Sequence, residues 1–259
     1  MLLVIDAGNT HIKLGLYDAD HLVERWRLAT ARNGTADEYA VQVRGLFSLA
    51  GIEVKAINAI AVACVVLPLN QTLRDMAERY FHVAPLFIDH TIETGLEILY
   101  DAPRDVGADR LVNAAAAVHK YGAPCIVVDF GTATKFEAIN EQRQYLGGVI
   151  APGFGISMDA LFERAPRLPR VEIKRPQTVI GSSTVAALQS GLYNGYVCLV
   201  HGVLQKMREE LNENTRVIAT GGLAHLIVAE SNSIEIIDDT LTLDGLRLIY
   251  ELNQKSHAK

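Results

Sequence analysis

Cysteine is scarce in this chain. Among 259 residues there are three, Cys64, Cys125 and Cys198, each inside an apolar run and with no C-x-x-C spacing between any two. An odd, unclustered set argues against a disulfide framework and suits buried free thiols in a reducing compartment. All three read as core residues. Long apolar runs are also lacking. None reaches the ~18 residues that a bilayer span requires, and the run Leu2 to Ile5, which ends at Asp6, is too short for the apolar part of a secretory signal. The expectation is a cytoplasmic protein without membrane association.

No basic stripe is present. The 24 Lys and Arg residues are scattered and outnumbered by 30 Asp and Glu, for a net charge of −6, so nothing gathers the positive field that draws a nucleic-acid backbone. Nucleic acid is therefore excluded as a partner. Two nucleotide motifs are missing as well. G-x-x-x-x-G-K-[ST] occurs nowhere, and Gly147, Gly148, Gly153 and Gly155 do not form G-x-G-x-x-G after a strand, which removes the P-loop and Rossmann readings. What remains is the balance of an ordered globular chain, 49% hydrophobic and 21% charged, with a length that allows one or two domains.

What the sequence does contain is one unit, twice. The apolar run Leu2 to Ile5 leads into Asp6-Ala7-Gly8-Asn9-Thr10, after which Ile12, Leu14 and Leu16 alternate with polar or small residues at strand period. This predicts a hairpin with a polar turn, then a third strand over 22–28. Thr35 and Glu38 form a capping-box pattern ahead of a helix reaching about Ala50. A strand over 57–66, a helix over 69–81 and a strand over 85–89 follow, and alternating β and α elements imply a layered α/β domain. The pattern restarts at Cys125-Ile126-Val127-Val128-Asp129, with Phe130-Gly131-Thr132-Ala133-Thr134 as the turn and strands over 135–139 and 145–150. A long helix over 184–211, a strand over 216–219 ending in Thr220-Gly221-Gly222, a strand over 234–237 and a last helix complete the second half. Aligning Asp6 with Asp129 superposes the two hairpins, each in a half the size of a domain, so this is a duplication and not a solenoid.

An aspartate at the end of a buried strand offers its carboxylate to Mg²⁺ or to the waters around it. The glycine that follows lets backbone N–H groups approach phosphate oxygens with no Cβ in the way. Asn9, Thr10 and Thr132 add hydrogen-bond donors. Two such turns facing one another would hold the β and γ phosphates of ATP from opposite sides, as a reaction catalysed by positioning and charge neutralisation requires. Each turn alone also reads as an ordinary strand-ending turn, where Asp and Gly are favoured anyway. Gly221-Gly222 reads either as a surface for a nucleobase or as an entry turn to a helix.

Six motifs carry a resemblance that spans nearly the whole chain. They are Asp6-Ala-Gly-Asn-Thr10, Asp105-Val-Gly-Ala-Asp-Arg110, Asp129-Phe-Gly-Thr-Ala-Thr134, Gly147-Gly-Val-Ile-Ala-Pro-Gly153, Leu161-Phe-Glu-Arg164 and Thr220-Gly-Gly222. In type and order this set resembles the type III pantothenate kinases, within the superfamily of acetate and sugar kinases, actins and large heat-shock ATPases. The resemblance implies an α/β chain of two ribonuclease-H-like domains that arose by duplication, an actin-like ATPase fold. The expected domains are 1–118 and 119–259, with the last helix able to pack back on the first. It further implies ATP-dependent phosphorylation of pantothenate to 4'-phosphopantothenate, the first step of coenzyme A biosynthesis, by a homodimer using Mg²⁺ and a monovalent cation, K⁺ or NH₄⁺.

Carried over by residue, the resemblance makes Asp109 the general base and gives the substrate pocket to Gly107, Ala108, Asp109 and Arg110 with Tyr100 and Thr184. It gives the first phosphate loop to Asp6, Ala7, Gly8, Asn9, Thr10, His11, Ile12 and Lys13, with Asp6 reaching Mg²⁺ through water. Thr132 becomes a nucleotide contact and Asp129 the monovalent-cation ligand. Each position has a plain alternative. Asp105 or Asp109 would cap the Ala-rich helix that follows, Tyr100 would be a packed aromatic, Thr184 a helix N-terminal residue and Lys13 a solvated strand charge. The apolar helix over 185–203 offers a dimer face or, equally, a domain core.

The chain departs from the family at one place. After Thr134 it reads Lys135-Phe136-Glu137, where the family commonly has Thr, Phe and Asp. Either the Lys135 ammonium replaces the monovalent cation by pairing with Asp129 or Glu137, or Lys135 points to the other strand face and reaches solvent. Two further functions stay in play: a catalytically silent ATP-binding regulatory relative, and a kinase of another small hydroxyl or carboxylate substrate on the same fold.

Overall fold

The computed structural model describes residues 1–165, 167–229 and 233–257. In chain order the elements are β1 (Leu2–Ala7), β2 (His11–Asp18), β3 (His21–Ala29), α1 (Ala36–Leu49), β4 (Ala59–Cys64), α2 (Leu69–Met76), β5 (Leu86–Phe87), β6 (Glu97–Ile98) and α3 (Ala108–Tyr121). They continue with β7 (Cys125–Phe130), β8 (Ala133–Ile139), β9 (Gln144–Pro152), α4 (Phe154–Arg164), α5 (Thr184–Glu210), β10 (Arg216–Gly221), α6 (Ala224–Val228), β11 (Ile236–Ile237) and α7 (Leu241–His257). The chain forms two compact units, Met1–Ala116 with Thr240–Lys259, and Ala117–Asp239.

Both units contain the same run of strands. In the first it is β3-β2-β1-β4-β5, and in the second β9-β8-β7-β10-β11. Each has three antiparallel strands followed by two parallel to the central one. This is the ribonuclease-H-like arrangement that the family resemblance implies, present twice as the duplicated hairpins predict.

The central strands β1 and β7 are buried along their whole length, as expected of strands covered on both faces, where alternation gives way to a continuous apolar run. In the first unit Leu3, Ile5 and Ala7 pack with Tyr39, Val43 and Phe47 of α1 and Leu69 and Leu73 of α2. The alternate residues Leu2 and Val4 pack with Ala108, Val112 and Ala115 of α3 and with Leu243, Leu246 and Ile249 of α7. In the second unit Ile126, Val128 and Phe130 meet Tyr193, Tyr196, Val200 and Leu204 of α5, each such buried side chain contributing roughly 1.5–3 kcal/mol.

Several expectations need correction. The helix expected over 69–81 is α-helical to Met76 and continues as a π-turn, Ala77–Phe81. The strands expected over 85–89 and 234–237 are two-residue edge pairings. Helix α4 falls between the strand expected over 145–150 and the helix expected over 184–211, where no element is expected. Of the three cysteines only Cys125 is fully buried; Cys64 is half-buried and Cys198 is exposed. Burial pushes the Cys125 thiol up to about 12. Among the described residues, no helix is long and apolar enough to cross a membrane.

Candidate active site

The first hairpin sets its turn by backbone geometry. The Gly8 amide donates to the His11 carbonyl at 3.0 Å, and an added Cβ at Gly8 would lie 3.1 Å from that same oxygen. Asn9, Thr10 and His11 are exposed, whereas the side chains of Ala7 and Ile12 belong to the core of the first unit. Only the backbone of those two is therefore available to a ligand. Asp6 is buried at the end of β1 and stands opposite Lys13 in the strand register. The Lys13 ammonium lies 3.3 Å from Asp6 Oδ2, so Lys13 is not a purely solvated strand charge.

The second hairpin repeats this arrangement in its own unit. Asp129 stands opposite Lys135, and the Lys135 ammonium lies 3.2 Å from Asp129 Oδ2. Lys135 does not turn to solvent, which corrects the reading in which it points to the other strand face. Residues directly opposite each other on antiparallel strands share a face, so its partner decides its direction. Glu137, the other candidate partner, is buried and accepts a hydrogen bond from the Tyr145 hydroxyl at 2.5 Å. Thr132 is exposed at the turn, and its carbonyl accepts from the Gly153 amide at 3.1 Å. A Cβ on Gly153 would sit 2.1 Å from that oxygen, so this glycine permits a close backbone approach at the start of α4.

The third cluster lies at the start of α3. Asp109 and Arg110 are buried in the first turn, where the helix dipole favours a carboxylate. Asp109 Oδ1 accepts the Arg110 amide at 2.9 Å. The Arg110 guanidinium lies over the Tyr100 ring, 5.7 Å from its centroid. Asp105 sits in a preceding 3₁₀ turn, beside Arg104 at 3.8 Å. A Cβ on Gly107 would lie 2.9 Å from Asp109 Oδ1. The structure thus gathers Tyr100, Gly107, Ala108, Asp109 and Arg110 at one place: a buried carboxylate beside a buried cation that an aromatic face holds. Such a set can accept a proton from a hydroxyl and bind an anionic group next to it.

Thr184 belongs to the second unit. It is the first residue of α5, follows the Ser183 cap, and lines a concavity of about 840 Å³ with Leu161, Leu168 and Leu188. Gly221, at φ +97°, brings β10 so close to β7 that a Cβ would lie 2.7 Å from the Phe130 backbone. The chain then turns into α6, as the helix-entry reading has it.

The type III pantothenate kinase family model matches residues 2–206. The chain belongs to this family. A type III pantothenate kinase of Halalkalibacterium halodurans is 53% identical, over 98% of this chain and 100% of the relative. One from Koribacter versatilis (strain Ellin345) is 50% identical, over 100% of this chain and 98% of the relative. Among solved structures, component A of (R)-2-hydroxyglutaryl-CoA dehydratase from Acidaminococcus fermentans aligns with a TM-score of 0.54 at 16% identity, covering 100% of this chain and 99% of that one. The fold is the actin-like one.

In this member of the type III pantothenate kinase family, two residues that sequence reasoning passed over hold the first turn. Thr30 donates its hydroxyl to the Gly8 carbonyl at 2.6 Å and its amide to the Thr10 carbonyl at 3.0 Å. Arg32 donates to Asn9 Oδ1 at 2.9 Å. The available signal was their place, just where the third strand returns to the hairpin turn.

Proposed function

We propose that this chain transfers the γ-phosphoryl group of ATP to the primary hydroxyl of pantothenate, giving ADP and 4'-phosphopantothenate. The observation that carries this reading is the buried Asp109 carboxylate, next to an arginine held over Tyr100, in a chain half identical to type III pantothenate kinases over its whole length. Asp109 takes the proton of the attacking hydroxyl as the new O–P bond forms and the bond from the γ-phosphorus to the ADP oxygen breaks. Arg110 binds the acceptor's carboxylate, with Tyr100, Gly107 and Ala108 around it and Thr184 as a further contact.

The turn from Asp6 to Lys13 and Thr132 of the second turn contact the nucleotide phosphates. Asp6, whose Oδ2 has the partly exposed Lys13 ammonium at 3.3 Å, would reach Mg²⁺ through water and not directly, which suits a cation that keeps several waters and takes other ligands from phosphates. Held there, the ion would supply neutralisation of phosphate charge during the transfer. The working form is a cytoplasmic homodimer in which two copies meet along α5. Gly191 and Gly195 are exposed on that helix, and among the described residues nothing within 4 Å would meet a Cβ added to either.

The alternatives are a silent ATP-binding relative and a kinase of another acceptor. ADP release measured with Mg²⁺-ATP and a panel of pantothenate, sugars and acetate separates them. Turnover with pantothenate alone supports the proposal, turnover with a sugar or acetate overturns it, and ATP binding without turnover leaves the silent relative.

A further inference from the structure

Each strand-end aspartate of the duplicated hairpin meets a lysine on the facing strand. The Asp6–Lys13 contact is 3.3 Å and the Asp129–Lys135 contact 3.2 Å. The two pairs differ in burial. The Lys13 side chain is 36% exposed, whereas that of Lys135 is 18% exposed and its partner Asp129 12%. The second ammonium is thus mostly withdrawn from water and held against a carboxylate. On either side of it along β8, Thr134 and Phe136 have no exposed surface, which fixes the strand and the direction in which Lys135 leaves it.

The family resemblance gives Asp129 to K⁺ or NH₄⁺, and the residues present do not fit a free cation there. The Lys135 ammonium already occupies hydrogen-bonding distance of the carboxylate, and a second monovalent cation would face a like charge. Glu137, two residues on and buried, is engaged with Tyr145. The pair also borders the turn that the kinase reading assigns to phosphate. The Cβ position of Gly131 lies 3.6 Å from Asp129 Oδ1, and Thr132 follows.

We propose that Lys135 is a tethered cation. Resting on the kinase reading above, its ammonium takes the place of the free monovalent cation at Asp129 and makes phosphoryl transfer independent of added K⁺ or NH₄⁺. An ammonium carries the same charge as either ion. Attached to the chain, it is present at a high effective concentration whatever the medium holds. It also donates directed hydrogen bonds, which keep the Asp129 carboxylate oriented beside the phosphate turn.

The test compares KCl, NH₄Cl and choline chloride at equal ionic strength, so that general screening is constant. The unaltered protein should turn over at rates within about twofold in all three. Lys135→Thr should slow on the order of tenfold or more in choline, the size expected for losing a charge-assisted contact, and recover in KCl or NH₄Cl. Thallium(I) binding, followed by thallium NMR on protein with Mg²⁺-ADP and no acceptor, should appear in Lys135→Thr and be absent from the unaltered protein. Strong K⁺ activation of the unaltered protein, a thallium site in it, or an undiminished Lys135→Thr rate in choline each overturns the proposal. Should the variant not fold, the salt series and thallium titration on the unaltered protein decide alone. Because the thallium measurement needs no turnover, it judges Lys135 even if no acceptor is phosphorylated, a result that would sink only the kinase reading.

Discussion

The Arg110 guanidinium rests over the face of Tyr100, 5.7 Å from the ring centroid. An aromatic face in that position attracts the cation and limits its rotation, worth roughly 0.5–2 kcal/mol. Tyr100→Ala should therefore raise KM for pantothenate between about 2-fold and 30-fold, with a smaller change in kcat. Tyr100→Phe keeps the ring and should stay close to the unaltered enzyme. Steady-state kinetics on both variants checks this, and equal losses would show that the hydroxyl matters instead.

Gly107 leaves room for the Asp109 carboxylate, the proposed general base. A methyl group there would come within 2.9 Å of Asp109 Oδ1, and the carboxylate is the atom group that can give way. Gly107→Ala should fold normally but displace the base, and a misplacement of about 1 Å costs on the order of 100-fold in rate. The readout is kcat alongside the melting temperature. A large fall in Tm with kcat unchanged would mean that the glycine serves the fold instead.

Helix α1 carries the capping box expected from Thr35 and Glu38: the Glu38 amide donates to Thr35 Oγ1 at 3.2 Å, and the Thr35 amide donates to Glu38 Oε2 at 2.7 Å. Thr35→Ala should cost on the order of 1 kcal/mol in a denaturant titration at neutral pH. The Thr35 amide, and then its hydroxyl, hold the Glu38 carboxyl below its ordinary value of 4.5. A depressed folded value means that the stabilisation is full above about pH 4.5 and is lost as pH falls through the lowered value. The stability difference between the unaltered protein and Glu38→Ala should accordingly shrink below that pH, and a difference that grows in acid would contradict the sign.

Much of this was legible in the sequence, for identifiable reasons. The hairpins announce themselves because an apolar strand, a D-x-G turn and period-two alternation occur together, and α1 because its cap and its apolar spacing agree. The direction of Lys135 was also legible in principle. Alternation along one strand cannot fix a face until the register is known, and once Asp129 is set opposite Lys135 the two must share one. Helix α4 lacks a capping signal in the sequence, because its N-cap is Gly153, which makes no side-chain cap and serves a close backbone approach at the helix start. Cys198 is exposed although it sits in an apolar run, because such a run on a helix has two sides. Tyr193, Tyr196, Val200 and Leu204 take the buried side at helical spacing, which leaves Cys198 outside it.

That exposure gives the proposed dimer a test. Cys125, buried and with its thiol pushed up to about 12, should resist thiol reagents in the native protein, and Cys198 should react. If two 28.3 kDa chains meet along α5, labelling of Cys198 should be slow in concentrated protein and faster on dilution. Sedimentation over the same range should follow the change in mass. Labelling independent of concentration, with a constant monomer mass, would contradict the dimer.

Asp109, proposed as the base in a pantothenate kinase, can be tested by its removal. The direct measurement is pantothenate-dependent ADP release by the unaltered protein and by Asp109→Asn, alongside calorimetric titration of both with Mg²⁺-ATP. Turnover should fall about 10²–10⁴-fold in the variant while ATP binding is retained. A variant that turns over within about tenfold of the unaltered enzyme would contradict it, since a base contributing that little is not the group that takes the proton.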